Sequence, residues 1–300
     1  MKKKIEFLIL KLTENCNLKC NYCFELLKRK TITKRDINTK KYKGDFLDEI
    51  ICKNIVLTGG EPFLNDNINY YIEKFSNSNV TILTNGIFKP NLPIDVLKKI
   101  NIVISLDGDF RIMNSHRNIN NEQFKKIISN IKFYIKNCKS VTINILVTKK
   151  SINGNWNYAI KKYKNQVAYK VSTPSLIFTP ETYKLDQEDK YDLKNKIINT
   201  LDLFNYRIKC SSDLFSKEAF LSNYTNNIER LINLEYNVQS NILSIFNRNI
   251  SNIKEVEKVS NIIKRDSDIL FKNFLLNKSD LYTFNPFCIL ENYIYRGTYG

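Results

Sequence analysis

Hydrophobic positions in the first 180 residues follow two different periods. Short, β-branched, nearly continuous apolar runs occur at Ile5–Leu12, Asn54–Thr58, Val80–Leu83, Asn101–Ser105, Val141–Val147 and Val167–Val171. Runs of that length and composition predict buried strands. Between them the spacing becomes helical. It is clearest from Glu122 to Ile135, where apolar residues return every three or four positions. A shorter helix is predicted at Asp95–Ile100 behind Pro93, with little more than one apolar turn.

Strand and helix alternating about six times predict parallel βα units with right-handed crossovers. Six units are too few for a closed eight-stranded barrel. The expected fold is therefore α/β, a partial (β/α)6 barrel, with its chemistry at the C-terminal strand ends. From about residue 183 the pattern changes. Leu185–Phe204 and much of 212–275 read as helices without strand alternation. The chain thus divides into a partial-barrel domain over 1–205 and a mostly helical C-terminal extension over 206–300, with no internal repeat or low-complexity linker.

Composition sharpens this picture. A hydrophobic content of 43% with 12% aromatics excludes a globally disordered chain. The formal net charge is +17, from 47 Lys and Arg against 30 Asp and Glu. Lys, Asn and Ile are abundant throughout, so a solvated basic surface is the simpler reading and an acidic partner the sharper one. No arginine-rich tract or basic run interleaved with aromatics points to nucleic acid. The apolar run Phe7–Leu10 is too short for a signal-peptide core or a membrane span. With seven cysteines and no secretory signal, the expectation is a cytoplasmic protein with reduced thiols, no disulfide framework and no membrane partner.

Three of those cysteines stand together a few residues after the first strand, in Cys16-Asn17-Leu18-Lys19-Cys20-Asn21-Tyr22-Cys23. Three thiolates within eight positions can wrap one corner of an iron–sulfur cubane. Such clusters normally take four cysteines, so one iron would stay open to a chelating ligand. A zinc loop would need a second Cys or His pair, which does not follow, and the only histidine, His116, sits in an unrelated segment. His116 reads as a surface or packing residue, and Met113 is likewise given no chemistry. Cys52, Cys138, Cys210 and Cys288 have no ligand-like spacing.

The C-x3-C-x2-C loop with Tyr22 before its last cysteine resembles the defining motif of the radical S-adenosylmethionine (SAM) superfamily. The resemblance extends over about residues 5 to 180. Thr58-Gly59-Gly60-Glu61-Pro62 is similar to the family's GGEP motif, and Thr84-Asn85-Gly86 closes the third strand as in many relatives. Ser105-Leu106-Asp107-Gly108 with Arg117 downstream is similar to the peptide- and protein-modifying branch, in the SPASM and twitch style. The resemblance implies a 4Fe-4S cluster held by Cys16, Cys20 and Cys23. It further implies SAM bound by Gly59, Gly60, Glu61, Ser105 and Arg117, with Asn144 either a ribose contact or a strand residue satisfied by backbone. Glu61 would accept the methionyl ammonium, and Ser105 and Arg117 would meet the carboxylate. A G-x-I-x-G-x-x-E segment known from some members is absent from the fifth strand.

The implied activity is reductive cleavage of SAM to a 5′-deoxyadenosyl radical by an electron from a partner such as flavodoxin or ferredoxin. The expected substrate is a ribosomally synthesised peptide, with an acidic leader, modified by a thioether, a carbon–carbon crosslink or epimerisation. A formylglycine-forming sulfatase maturase is the alternative enzyme, and a non-catalytic iron–sulfur scaffold the alternative outside catalysis. No peptide-recognition domain precedes the cysteine loop, so the leader is expected to be caught by a separate partner or by the region after 205. Cys288 and Gly300, with eleven residues between them, match the first half of a SPASM or twitch auxiliary-cluster motif. This favours a chain cut within such a domain over an ordinary core thiol at Cys288. An auxiliary Fe-S cluster is expected only if the native chain continues past Gly300.

Overall fold

The computed structural model describes residues 2–23, 45–174, 180–203, 208–210, 234–240, 242–245, 248–250 and 252–254, with 256, 258 and 261. The six strands expected from the apolar runs all form: β1 (Lys3–Thr13), β2 (Ile50–Gly59), β3 (Asn79–Thr84), β4 (Asn101–Ser105), β5 (Ser140–Leu146) and β6 (Ala168–Ser172). They lie parallel and in sequence order. The described helices are α1 (Phe46–Glu49), α2 (Ile68–Lys74), α3 (Ile94–Leu97), α4 (Phe110–Arg117), α5 (Asn121–Asn137), α6 (Tyr158–Tyr163) and α7 (Gln187–Leu203). α1, α2, α4 and α6 are short, and too few apolar positions repeat in them to reveal a helical period.

The sheet is wider than six strands. β7 (Ile208–Cys210) pairs parallel with β6, and β8 (Leu234–Asn237) pairs parallel with β1. β9 (Ile242–Ile245) and β10 (Arg248–Ile250) then extend the β8 edge antiparallel. Eight parallel strands are a barrel's complement, yet the sheet runs from β10 to β7 without closing, which makes it a partial barrel. β8–β10 fall where the apolar pattern suggests helices. Leu234 and Tyr236 are buried and Glu235 is not, but four alternating residues are too few to announce a strand. Pairing with β1 decides their conformation. Cys288 and Gly300 lie outside the described residues, as does most of the 206–300 region.

The sheet is held by its own side chains. Leu8, Leu10, Leu12, Ile55, Leu57, Ile82, Ile102, Ile104, Ile143 and Ile145 are all wholly buried. Each contributes about 1.5–3 kcal/mol by leaving water. α5 begins on a capping box, with Asn120 and Gln123 exchanging side-chain and backbone bonds of 2.9 Å. Its buried face carries Ile127, Asn130, Ile131 and Tyr134. From that face Asn130 donates to the carbonyls of Gly86 and Ile87 at 2.9 and 3.0 Å, which holds the Thr84-Asn85-Gly86 turn at the end of β3. Among the described residues no helix is long and apolar enough to cross a membrane.

Candidate active site

A cavity of about 400 Å³ opens where the parallel strands end. Cys16, Cys20 and Cys23 line it together with Gly59, Gly60, Ser105, Arg117 and Asn144, residues far apart in sequence. β1 to β5 each deliver one side of it, as the crossover topology dictates. Ser105 and Asn144 face each other in register across β4 and β5. Asn144 accepts from the Ser172 hydroxyl at 3.4 Å. A second cavity of about 430 Å³, bounded by residues 152–157, Lys161, Lys196 and Asn199, contains none of these groups.

The cysteine loop is seated by neighbours on two sides. On one side it meets the glycine turn after β2. The Gly60 N–H donates to Thr13 O and the Glu61 N–H to Asn15 O, both at 2.8 Å. Gly59 adopts φ +139, and a Cβ there would stand 2.1 Å from Thr13 O. At Gly60 a Cβ would stand 2.1 Å from Asn15 O. Only glycine admits this approach. On the other side the loop caps α4. Asn21 donates from its main chain to His116 O at 2.9 Å and from its side chain to Ser115 O at 2.8 Å. These are carbonyls a helix end leaves without intrahelical partners. Asn118, left-handed at φ 54, returns a bond to Lys19 O at 2.7 Å.

The thiols are free and share the cavity wall. Burial pushes the Cys20 thiol up to about 11 against the opposing charge of Arg117, and Cys16 is raised by burial as well. Both are thiols at neutral pH until a metal displaces their protons. Among the described residues no three donors converge on one ion-sized point. Three thiols on one cavity wall are the donor set that an iron–sulfur cubane with one open iron would take.

Glu61 stands behind the wall rather than in it. It is wholly buried, and its carboxylate accepts from the Thr84 hydroxyl and the Asn85 N–H at 2.8 Å and from the Phe63 N–H at 3.4 Å. The carboxylate thereby ties the end of β2 to the turn after β3, where Asn85 reaches Asn17 of the cysteine loop at 2.7 Å. Burial lifts Glu61 to about 7, with the three donors working in the opposite direction. A carboxyl raised on folding favours the folded state fully below its unfolded value and loses that contribution as pH rises through the folded value. The melting temperature of the apo-protein relative to Glu61→Gln is therefore expected to fall between about pH 5 and pH 8. Parallel melting curves for the two proteins across that interval would contradict the burial assignment.

Asp107 lies opposite. Its buried carboxylate takes a two-pronged bond from Arg117, Nε to Oδ2 at 2.8 Å and Nη2 to Oδ1 at 2.9 Å. Burial would raise its pKa, but the Arg117 charge and the bonds from His116 and Arg117 hold it well below the usual carboxylate range. His116 is 1% exposed, with Nδ1 at 3.3 Å from Asp107 and Nε2 at 3.0 Å from the Thr148 hydroxyl. It is an internal polar residue, where packing and surface were both open from sequence. Tyr22, Asp107 and Thr148 were not among the candidate residues. Asp107 carried a signal in its place in Ser-x-Asp-Gly and Tyr22 in its place before the last cysteine of the loop, while Thr148 carried none.

The chain is similar to several known proteins. GTP 3',8-cyclase of Clostridium acetobutylicum is 27% identical over 219 residues, covering 67% of this chain and 65% of that protein. Streptococcus suis SuiB bound to its precursor peptide SuiA superposes with a TM-score of 0.58 at 19% identity, over 80% of this chain and 59% of SuiB. anSMEcpe with bound AdoMet superposes with a TM-score of 0.51 at 19% identity, over 74% and 66% of the two chains. The chain thus spans about two thirds or less of the length of these proteins. Residues 10–152, from the end of β1 through the cysteine loop and the glycine turn to the loop beyond β5, match the family model of the radical SAM superfamily.

Proposed function

We propose that this radical SAM enzyme modifies a ribosomally synthesised peptide, with Cys16, Cys20 and Cys23 holding its 4Fe-4S cluster. The observation that carries the site is the joining of the three thiols, the glycine turn, Ser105, Arg117 and Asn144 on one cavity. The main chain of Gly59 and Gly60, Ser105, Asn144 and the outer donors of Arg117 would orient SAM there, and Glu61 would shape that wall from behind. When bound, the cluster and SAM supply a one-electron reduction that yields a carbon-centred radical for hydrogen abstraction. The protein's own work is to position the two groups and keep water from them.

For the substrate, the likeness to SuiB with its precursor peptide supports a peptide. A basic chain of net charge +17 suits an acidic leader. The GTP 3',8-cyclase relative supports a second reading, a nucleotide. Arg117 is the only cation among the described residues lining the cavity, and its fork is committed to Asp107. A triphosphate would call for several such donors.

Both readings meet in one assay. Cluster-loaded protein receives SAM and dithionite with an acidic precursor peptide encoded beside its gene, a Cys-containing sulfatase peptide, or GTP. The expected result is a change of mass or chirality in the precursor peptide, with faster formation of 5′-deoxyadenosine. Modification of the sulfatase peptide instead would make the chain a formylglycine-forming maturase, and consumption of GTP alone would move it to nucleotides. A loaded protein that forms neither 5′-deoxyadenosine nor methionine would be a scaffold.

A further inference from the structure

We propose that Asp107 is a positioning residue that locks the cysteine loop and the Arg117 wall of the cavity into one unit. The inference rests on the reading that the cluster and SAM occupy this cavity. Both carboxylate oxygens are fully engaged. Oδ2 accepts from the Tyr22 hydroxyl at 2.5 Å and from Arg117 Nε at 2.8 Å, with His116 Nδ1 at 3.3 Å. Oδ1 accepts from Arg117 Nη2 at 2.9 Å and from the Leu146 N–H at 3.2 Å. One buried group therefore joins the cysteine loop, the β4–α4 turn, the last residue of α4 and the end of β5.

Each partner is held by more than this bond. The Arg117 guanidinium lies over the Tyr22 ring, 5.4 Å from its centre, and the Tyr22 and His116 rings meet edge to face at 5.5 Å. Tyr22 is flanked by Cys20 and Cys23, whose turn closes with a 3.1 Å bond from the Cys23 N–H to Cys20 O. A shift of Tyr22 therefore moves two thiols, and a shift of Arg117 moves the cation that faces the cavity. Neutralising Asp107 would leave Arg117 buried without its counter-charge, the costly way to break such a pair. The cluster and its ligand would be held in register by a group that touches neither.

The test uses the full chain, reconstituted anaerobically, as wild type, Asp107→Asn and Tyr22→Phe. SAM affinity is read from the SAM-induced change in the electron paramagnetic resonance spectrum of the reduced cluster. Cluster seating is read from the rate of iron loss to a chelator. Asp107→Asn is expected to bind SAM about tenfold more weakly and to lose iron faster. Tyr22→Phe, which breaks only the loop's bond, is expected to lose iron several-fold faster, with SAM affinity changed less. A folded Asp107→Asn protein with wild-type affinity and wild-type iron loss overturns the proposal. If Asp107→Asn does not fold, wild-type iron loss from Tyr22→Phe overturns it. A wild-type protein that takes up no cluster, or whose spectrum ignores SAM, refutes the underlying reading instead.

Discussion

A Cys20→Ala chain, reconstituted anaerobically with iron and sulfide, is expected to lose the absorption and paramagnetic signals of a 4Fe-4S cluster and all formation of 5′-deoxyadenosine. The loop offers three thiols to the cavity, and a cluster that already leaves one iron open has no spare protein ligand. Removing one thiolate leaves two irons without protein, and the chelate that resists loss of the cluster is gone. Cys16→Ala and Cys23→Ala are expected to do the same. Cys138→Ser is the control. Its backbone N–H caps the end of α5, and its thiol is pushed up to about 12 by burial and does not line the cavity, so the cluster content of this variant is expected to match wild type. Wild-type iron and sulfide in Cys20→Ala would remove the loop from the cluster's ligands.

The second large effect is expected from a single methyl group. In Gly60→Ala the new Cβ would stand 2.1 Å from Asn15 O and 2.5 Å from Asn15 C, one residue before Cys16. Both atoms are backbone, so no rotamer change relieves the clash. Overpacking of this kind costs about 1–3 kcal/mol, and here relief must come from moving the cysteine loop or the glycine turn. Either movement disturbs the bonds from Gly60 N–H to Thr13 O and from Glu61 N–H to Asn15 O. Gly60→Ala is expected to melt several degrees lower as apo-protein and to take up little cluster. Gly154→Ala is the comparison, since its methyl would meet the flexible end of Ile112 at 3.1 Å and Ser151 O at 3.3 Å. Full cluster uptake by Gly60→Ala would show that the close approach does not govern the loop.

What was legible in the sequence had a repeating or local cause. Strands β1 to β6 showed because one face of each is buried and the other is mostly half-buried, which produces long apolar runs such as Ile5–Leu12 and Val141–Val147. α5 showed because 17 residues hold several helical periods. β8, with four residues, holds too few to establish any period, and its conformation follows from pairing with β1. The same limit applies to α4, whose eight residues nonetheless present His116 and Arg117 to the site.

The three cysteines, the paired glycines and the alternation of strand and helix were determined by the sequence alone. Each depends on spacing along the chain, and spacing survives without coordinates. The tertiary structure decided how the residues divide the labour. It buried Glu61 as a tie between β2 and the turn after β3, although its motif suggested a ligand contact. It also gathered Tyr22, His116, Arg117 and the Leu146 N–H around Asp107, across as many as 124 positions of chain from Tyr22 to Leu146. The physical reason is the same in both cases. A carboxylate taken out of water must find its donors wherever the fold supplies them, and those donors are neighbours in space that no local pattern records.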